Sequence, residues 1–277
     1  MNCDITTRIK TTTGISRRGS LAFTLIEMLL VITIIAILAG LGLPHLKGWG
    51  DANTMTAATR QLMDDLAFAR LKAISTRSPV YVVFISPAVV DPVFFNSLTS
   101  AEKKNASNLW SGQFTSYALY APQSVGDQPG RPSAKYLTPW KSLPDKVFIP
   151  TRKFVEMTED ARFQNYLETN SHNLPFATNF FPFPTVTSTK QLDLPFIAFN
   201  SRGQLISERN PLSGRYERAT IPLARGSIFY ARDVEGNPIL GAADVLETPA
   251  QNSVNNRNWI HIDWLSGRAK VERGEIQ

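Results

Sequence analysis

Cysteine is nearly absent from this 277-residue chain: Cys3 stands alone, so no intramolecular disulfide can form and the fold rests on its core. Histidine is almost as scarce. His45, His172 and His261 lie far apart in unlike contexts and give no metal-ligand spacing. The strongest local pair, His261 with Asp263, shares one face of an expected strand with no third ligand beside it, and reads as a solvated polar face of a surface hairpin. There is no Gly-x-Ser-x-Gly elbow and no Gly-x-x-x-x-Gly-Lys phosphate loop, which argues against a serine hydrolase and against a chain that drives itself with nucleotide. No internal repeat is present. Charged residues are few, at 19% against about 25% in an ordinary soluble protein. The net charge of +6 is concentrated at the start: Arg8, Lys10, Arg17 and Arg18 oppose only Asp4, leaving the rest of the chain near +3. That balance does not mark a dedicated nucleic-acid binder, which carries a clustered basic face. No enzyme, cofactor or metal is indicated.

What the chain does have is one long apolar run. Residues 23–43 read from Phe23 to Leu43 with a single charge, Glu27. At 1.5 Å per residue such a helix spans about 30 Å, the thickness of a bilayer core. A cleaved secretory signal has a shorter apolar region, of about 7–15 residues, and a clean small-x-small exit. Here Gly48, Gly50 and Ala52 follow a polar break instead. Arg17-Arg18 lacks the residues that follow a twin-arginine pair in an export signal. The four basic residues before the run place the first segment in the cytoplasm. A carboxylate five residues into an apolar run costs a few kcal/mol on insertion scales and calls for a partner or a function.

Arg17-Arg18-Gly-Ser-Leu-Ala, then Phe23-Thr24-Leu25-Ile26-Glu27, then apolar residues through to Pro44, resembles the class III signal of type IV pilins and type II secretion pseudopilins. The resemblance implies that a prepilin peptidase cuts between Ala22 and Phe23 and N-methylates Phe23. It implies that Glu27, fifth from the new terminus, meets a neighbouring subunit's terminal amine during assembly, and that Pro44 kinks the helix. Ala22 departs from the glycine the family prefers before the cut. The nearest glycine, Gly19, would place Glu27 eight residues from the new terminus and spoil the register. Cys3 is expected to leave with the leader.

Beyond the run, Met55, Thr59, Leu62, Leu66, Ala69 and Ala73 recur at spacings of three and four, predicting an amphipathic helix over roughly 52–76, with Arg60, Asp64, Asp65, Arg70 and Lys72 on its other side. Its end, Ala-Arg70-x-x-Ala73-Ile, followed by Val80–Ile85, is similar to minor pseudopilins of the GspH/FimT type. Strands are expected at 80–85, 114–121, 147–149 (a short edge strand between two prolines), 196–199, 219–223, 227–231 and 259–264 leading into 268–271, with turns at 200–203 and 265–267. Ser97–Ser111 reads as loop or a short helix, Glu156–Thr169 as a surface helix, and Phe180–Pro184 as stiff and extended.

The expected architecture is therefore α+β: a cleaved leader (1–22), a transmembrane helix (23–43), the amphipathic half of one long N-terminal helix (44–78), and an antiparallel β-sheet head (79–277) with insertions in about 88–195. The expected setting is a bacterial inner membrane, crossed once, with the head periplasmic or extracellular and assembled into a filament. Prepilin peptidase, other pilin or pseudopilin subunits and the inner-membrane assembly platform are the implied partners. Arg268 and Lys270 alternate with Ala269 and Val271 and point outward together. They either guard an edge strand or touch nucleic-acid phosphates at a filament tip. Glu272 and Glu275 dilute the charge and favour the first.

Overall fold

The computed structural model describes residues 24–46, 49–123, 127, 133–155, 174–206, 218–234, 239, 241–255 and 258–273, with side chains described outside 39–52 and 273. The expected leader, the cut at Ala22–Phe23 and the helix expected over Glu156–Thr169 lie outside these residues. The chain forms two compact units, residues 1–49 and 50–277.

The first unit contains α1 (Leu25–Leu46). Its described side chains, Leu25 to Leu38, are exposed and almost wholly apolar. Among the described residues no helix is long and apolar enough to cross a membrane, and the run expected to do so extends past those whose side chains are described.

The second unit is built on α2 (Trp49–Thr76). All six residues picked out by helical spacing are buried, joined by Ala58. The helix stops because Arg77 turns left-handed (φ 50) and the Ser78 N–H reaches back to Ala73 O at 3.3 Å, with Pro79 beyond. Helix is described over Leu25–Leu46 and again from Trp49, with residues 47–48 outside the described ones.

The main sheet is antiparallel and seven-stranded. Its path runs β3 (Lys135–Tyr136), β2 (Ser116–Ala121), β1 (Val80–Phe84), β7 (Gln191–Phe199) and β6 (Ala177–Pro182), with β4 (Lys141–Ser142) on β2 and β8 (Leu205–Ile206) on β7. The continuous apolar character of β1 reflects cover on both faces. Val80, Val82 and Phe84 pack with Leu62, Leu66 and Ala69 of α2. Val83 packs on the other side with Val89, Leu98 and Ala106. That second cover comes from α3 (Pro92–Ser97) and α4 (Ser100–Trp110), preceded by a 3-10 turn over Pro87–Val90. In α4 a capping box fixes the start: Thr99 N–H donates to Glu102 Oε2 at 3.0 Å, and Glu102 N–H to Thr99 Oγ1 at 3.4 Å. Within the range 88–195, β2, β6 and most of β7 belong to the main sheet.

Two three-stranded sheets complete the head. One orders β11 (Asp244–Glu247), β10 (Ala224–Phe229) and β5 (Val147–Phe148), so 147–148 is at an edge as its flanking prolines predict. The other orders β13 (Ala269–Arg273), β12 (Asn258–Ile262) and β9 (Ala219–Pro222). The terminal hairpin forms as expected, but His261 is not on a solvated face. Strand β9 flanks β12 on the side away from β13, and His261 is 7% exposed with Nδ1 2.9 Å from Thr220 Oγ1. Its Nε2 lies 2.9 Å from Glu272 Oε2. Ile260 and Ile262, on the opposite face, join the core around α2.

Candidate assembly surface

The start of α1 follows from Thr24. Its hydroxyl accepts the Glu27 N–H at 3.3 Å, and its carbonyl accepts the N–H of Glu27 at 3.1 Å and of Met28 at 3.2 Å. Thr24 is therefore the cap, and Glu27 stands third in the helix, with its carboxylate in the first turn. The partial positive charge of a helix N-terminus favours a carboxylate there by roughly 0.3–1 kcal/mol. Glu27 is exposed and is the one charged residue of α1 among those whose side chains are described. Pro44 lies inside α1, two residues before the last one described.

On α2 the outward face is also apolar in part. Phe68 is 47% exposed, Leu71 60% and Ile74 38%. With Ala67 they fall at positions i, i+1, i+4 and i+7, a stripe down the side opposite the core. The core side is fastened by polar ties. Asp65, expected to face solvent, is buried: its Oδ2 accepts the Tyr117 hydroxyl at 2.6 Å and its Oδ1 the Lys141 ammonium at 2.7 Å. Burial, and then this bond, raises the Tyr117 pKa, so the phenol stays a donor. Gln61 Nε2 adds bonds to Tyr117 OH at 3.1 Å and Ser142 O at 3.0 Å. Arg70, also expected outside, turns its Nε–H to Ser266 O at 2.8 Å and Gly203 O at 3.2 Å. Both turns sit where Asn200–Gly203 and Leu265–Gly267 predict them. Gly203 and Gly267 take φ of 75 and 63, and a Cβ on Gly267 would lie 1.9 Å from Gly203 O.

The position of Asp65 was readable: it stands three after Leu62 and four before Ala69, on the border of the apolar stripe. Lys153 gave no such signal. It is 3% exposed, its ammonium donates to Leu174 O, and its Nζ sits 4.7 Å from the Phe176 ring centre. Arg268 and Lys270 are both exposed, and Lys270 stands directly opposite His261 with Glu272 two residues along the same face. Among the described residues no group of three or more His, Cys, Asp or Glu is placed to hold a metal ion.

The features that this arrangement offers are an apolar helix with one carboxylate in its first turn and a second helix carrying an exposed apolar stripe. They suit association rather than catalysis. No curated protein and no solved structure matches the chain. Residues 17–43 match the family described as the prokaryotic N-terminal methylation motif. The chain therefore carries, over 17–43, the N-terminal motif of a type IV pilin-like or pseudopilin-like subunit.

Proposed function

We propose that the protein is a non-enzymatic minor pilin or pseudopilin of a type II secretion or type IV pilus-like filament. Prepilin peptidase cuts between Ala22 and Phe23 and methylates the new amine. The apolar run from Phe23 to Leu43 holds the subunit in the inner membrane, with the head outside, until the assembly platform draws it into the filament. There Glu27, which would be destabilised as an unpaired charge among packed helices, meets a neighbouring subunit's terminal amine. One observation carries this reading: the motif match over 17–43 contains a lone carboxylate in the first turn of an otherwise apolar helix. Mass spectrometry of the mature N-terminus is the test. N-methyl-Phe23 is the expected start, and an intact Met1 or a cut near Gly50 would sink the proposal.

A second reading is a tip adhesin or DNA-uptake pilin that binds a ligand through its head; its DNA version rests on the paired exposure of Arg268 and Lys270. Glu272 on the same face fits edge protection better. Reversing both charges separates the two: DNA binding lost with normal filaments favours the tip reading, and unchanged binding removes its support. The resemblance to GspH/FimT-type minor pseudopilins belongs with the first reading and rests on the end of α2 and the strand after it.

A further inference from the structure

We infer that a row of three tyrosines on the main sheet, Tyr81, Tyr120 and Tyr136, is a binding shelf for a neutral glycan. This rests on the second reading above, a head that binds a ligand, and names the place and the chemistry. Tyr120 on β2 stands directly opposite Tyr81 on β1 and Tyr136 on β3, so the three side chains share one face across neighbouring strands. Ring centres are 6.3 Å apart for Tyr81 and Tyr120, and 5.3 Å for Tyr120 and Tyr136. Phe181 packs edge-to-face with both Tyr81 and Tyr120 at 5.5 Å, and Phe196 with Tyr81 at 5.4 Å. The rings are braced by these contacts, yet Tyr81 and Tyr136 stay half-buried. Tyr81 comes five residues after Thr76, the last of α2. The row therefore lies at the end of the head that α2 reaches last, about 40 Å along that helix from Gly50.

The hydroxyls select the ligand. Tyr136 O–H donates to Pro182 O at 2.5 Å. Neither Tyr81 nor Tyr120 has a hydrogen-bond partner for its hydroxyl among the described residues, although Tyr120 is only 8% exposed. Its oxygen is not sealed from solvent, so the one polar atom of a nine-tenths buried side chain is held open at the row's centre. A phenol has one proton to give and lone pairs to fill. A sugar hydroxyl matches both, and the C–H groups of a sugar ring pack on aromatic surface, whereas the carbonyls of a proline-rich strand match only the proton. Burial, and then Tyr81, raises the Tyr120 pKa, and burial, and then Tyr120, raises that of Tyr136, so these phenols stay neutral donors. The strand residues beside the row on the same face, Val83, Ala118, Phe196 and Ala198, carry no charge either. An uncharged shelf offers nothing to phosphates and matches a neutral ligand.

The test is saturation-transfer NMR on the full-length protein in a detergent without sugar groups. The probes are cello-, malto-, manno- and chito-oligosaccharides, with duplex DNA and an oligoproline peptide beside them. Binding of a neutral oligosaccharide is expected. Tyr120→Phe keeps the ring and removes the hydroxyl, and should weaken that binding about fivefold, the worth of one hydrogen bond. Tyr81→Ala should abolish it. Phe180→Ala is the control and should change nothing, since Phe180 is 64% exposed on the opposite face of the sheet from Phe181. Oligosaccharide binding that Tyr120→Phe leaves at full strength overturns the shelf and leaves a ligand-binding head intact. Binding of DNA or oligoproline with no sugar bound does the same. No binding to any probe overturns the shelf and the ligand-binding reading together.

Discussion

Lys153 sits where a charge is least welcome. Its ammonium is enclosed by Phe176 and by the chain around Leu174, and Arg152, next to it in the chain, repels it with the same sign of charge. Burial first, and Arg152 second, bring its pKa down to about 7. A lysine held below its unfolded value binds fewer protons in the folded than in the unfolded state between about pH 7 and about pH 10.5, so its contribution makes stability rise with pH across that window. Lys153→Met keeps most of the volume and removes the titration. It should flatten that slope in thermal melts recorded from pH 7 to 10, and raise stability at pH 7 by about 1 kcal/mol, the part of the desolvation cost left after losing the bond to Leu174 O. An unchanged slope would show that Lys153 is not the group responsible. Asp65 is the opposite case, a buried carboxylate with two partners. Asp65→Ala leaves the Tyr117 O–H beneath α2 without its acceptor, only Gln61 still bonding that hydroxyl, and should cost roughly 2–3 kcal/mol in denaturant titrations. A cost below 0.5 kcal/mol, about what an exposed ion pair is worth, would mean that the Tyr117 bond contributes little.

Among elements, α2 dominates the head. Leu62 and Leu66 are fully buried between it and the strands, and Leu66→Ala should lose about 2–5 kcal/mol in a chemical melt. A smaller loss would mean the cavity collapses. The meeting of the two turns is as demanding. Gly267→Ala combines a left-handed backbone with a Cβ 1.9 Å from a carbonyl oxygen, and should loosen β13 from β12, read as faster amide exchange across 269–272. Protection equal to the wild type would show that the turn yields without loss.

At this scale the limits of sequence reading have physical causes. Helical spacing in α2 and apolar runs in β1, β7 and β12 carry the core because burial imposes periodicity on them. His261 looked solvent-facing because alternation within a hairpin does not reveal a third strand, and β9 is 36 residues earlier in the chain than β12. Charge alone predicts water for Arg70 and Asp65; spacing puts Asp65 on the border of the buried stripe, but the partners of both lie in distant turns and strands: Ser266 is 196 residues from Arg70, and Tyr117 is 52 from Asp65. The candidate site divides in the same way. Glu27 and its first-turn position follow from a local motif, Thr24 to Glu27, whereas the Leu265 turn joins the stripe of α2 only through tertiary contacts.

For the whole molecule, the decisive variant is Glu27→Ala. It removes the one charged residue among the described side chains of α1 and should leave membrane insertion intact, since the apolar run only gains. Filament incorporation, followed by sedimentation of sheared filaments, should drop sharply. Incorporation at the wild-type level would remove Glu27 from the assembly mechanism, unless the subunit initiates the filament and its own Glu27 has no neighbour to meet.

The tie from Arg70 to Ser266 also has a consequence for how the protein is made. The helix that organises the head leaves the ribosome early, but two of its core neighbours, Ile260 and Ile262, and the carbonyl that Arg70 needs arrive in the last turns of the chain. Such long-range closure is slow and, on the membrane-anchored reading proposed above, waits until the final strands have crossed the membrane. During that interval the apolar side of α2 is open to wrong partners, and on the same reading delivery of the last strands is the event that commits the subunit to its folded form. A chain ended after Trp264 should insert normally and remain protease-sensitive outside the membrane, and a protease-resistant head from that truncation would show that folding does not wait for the end of the chain.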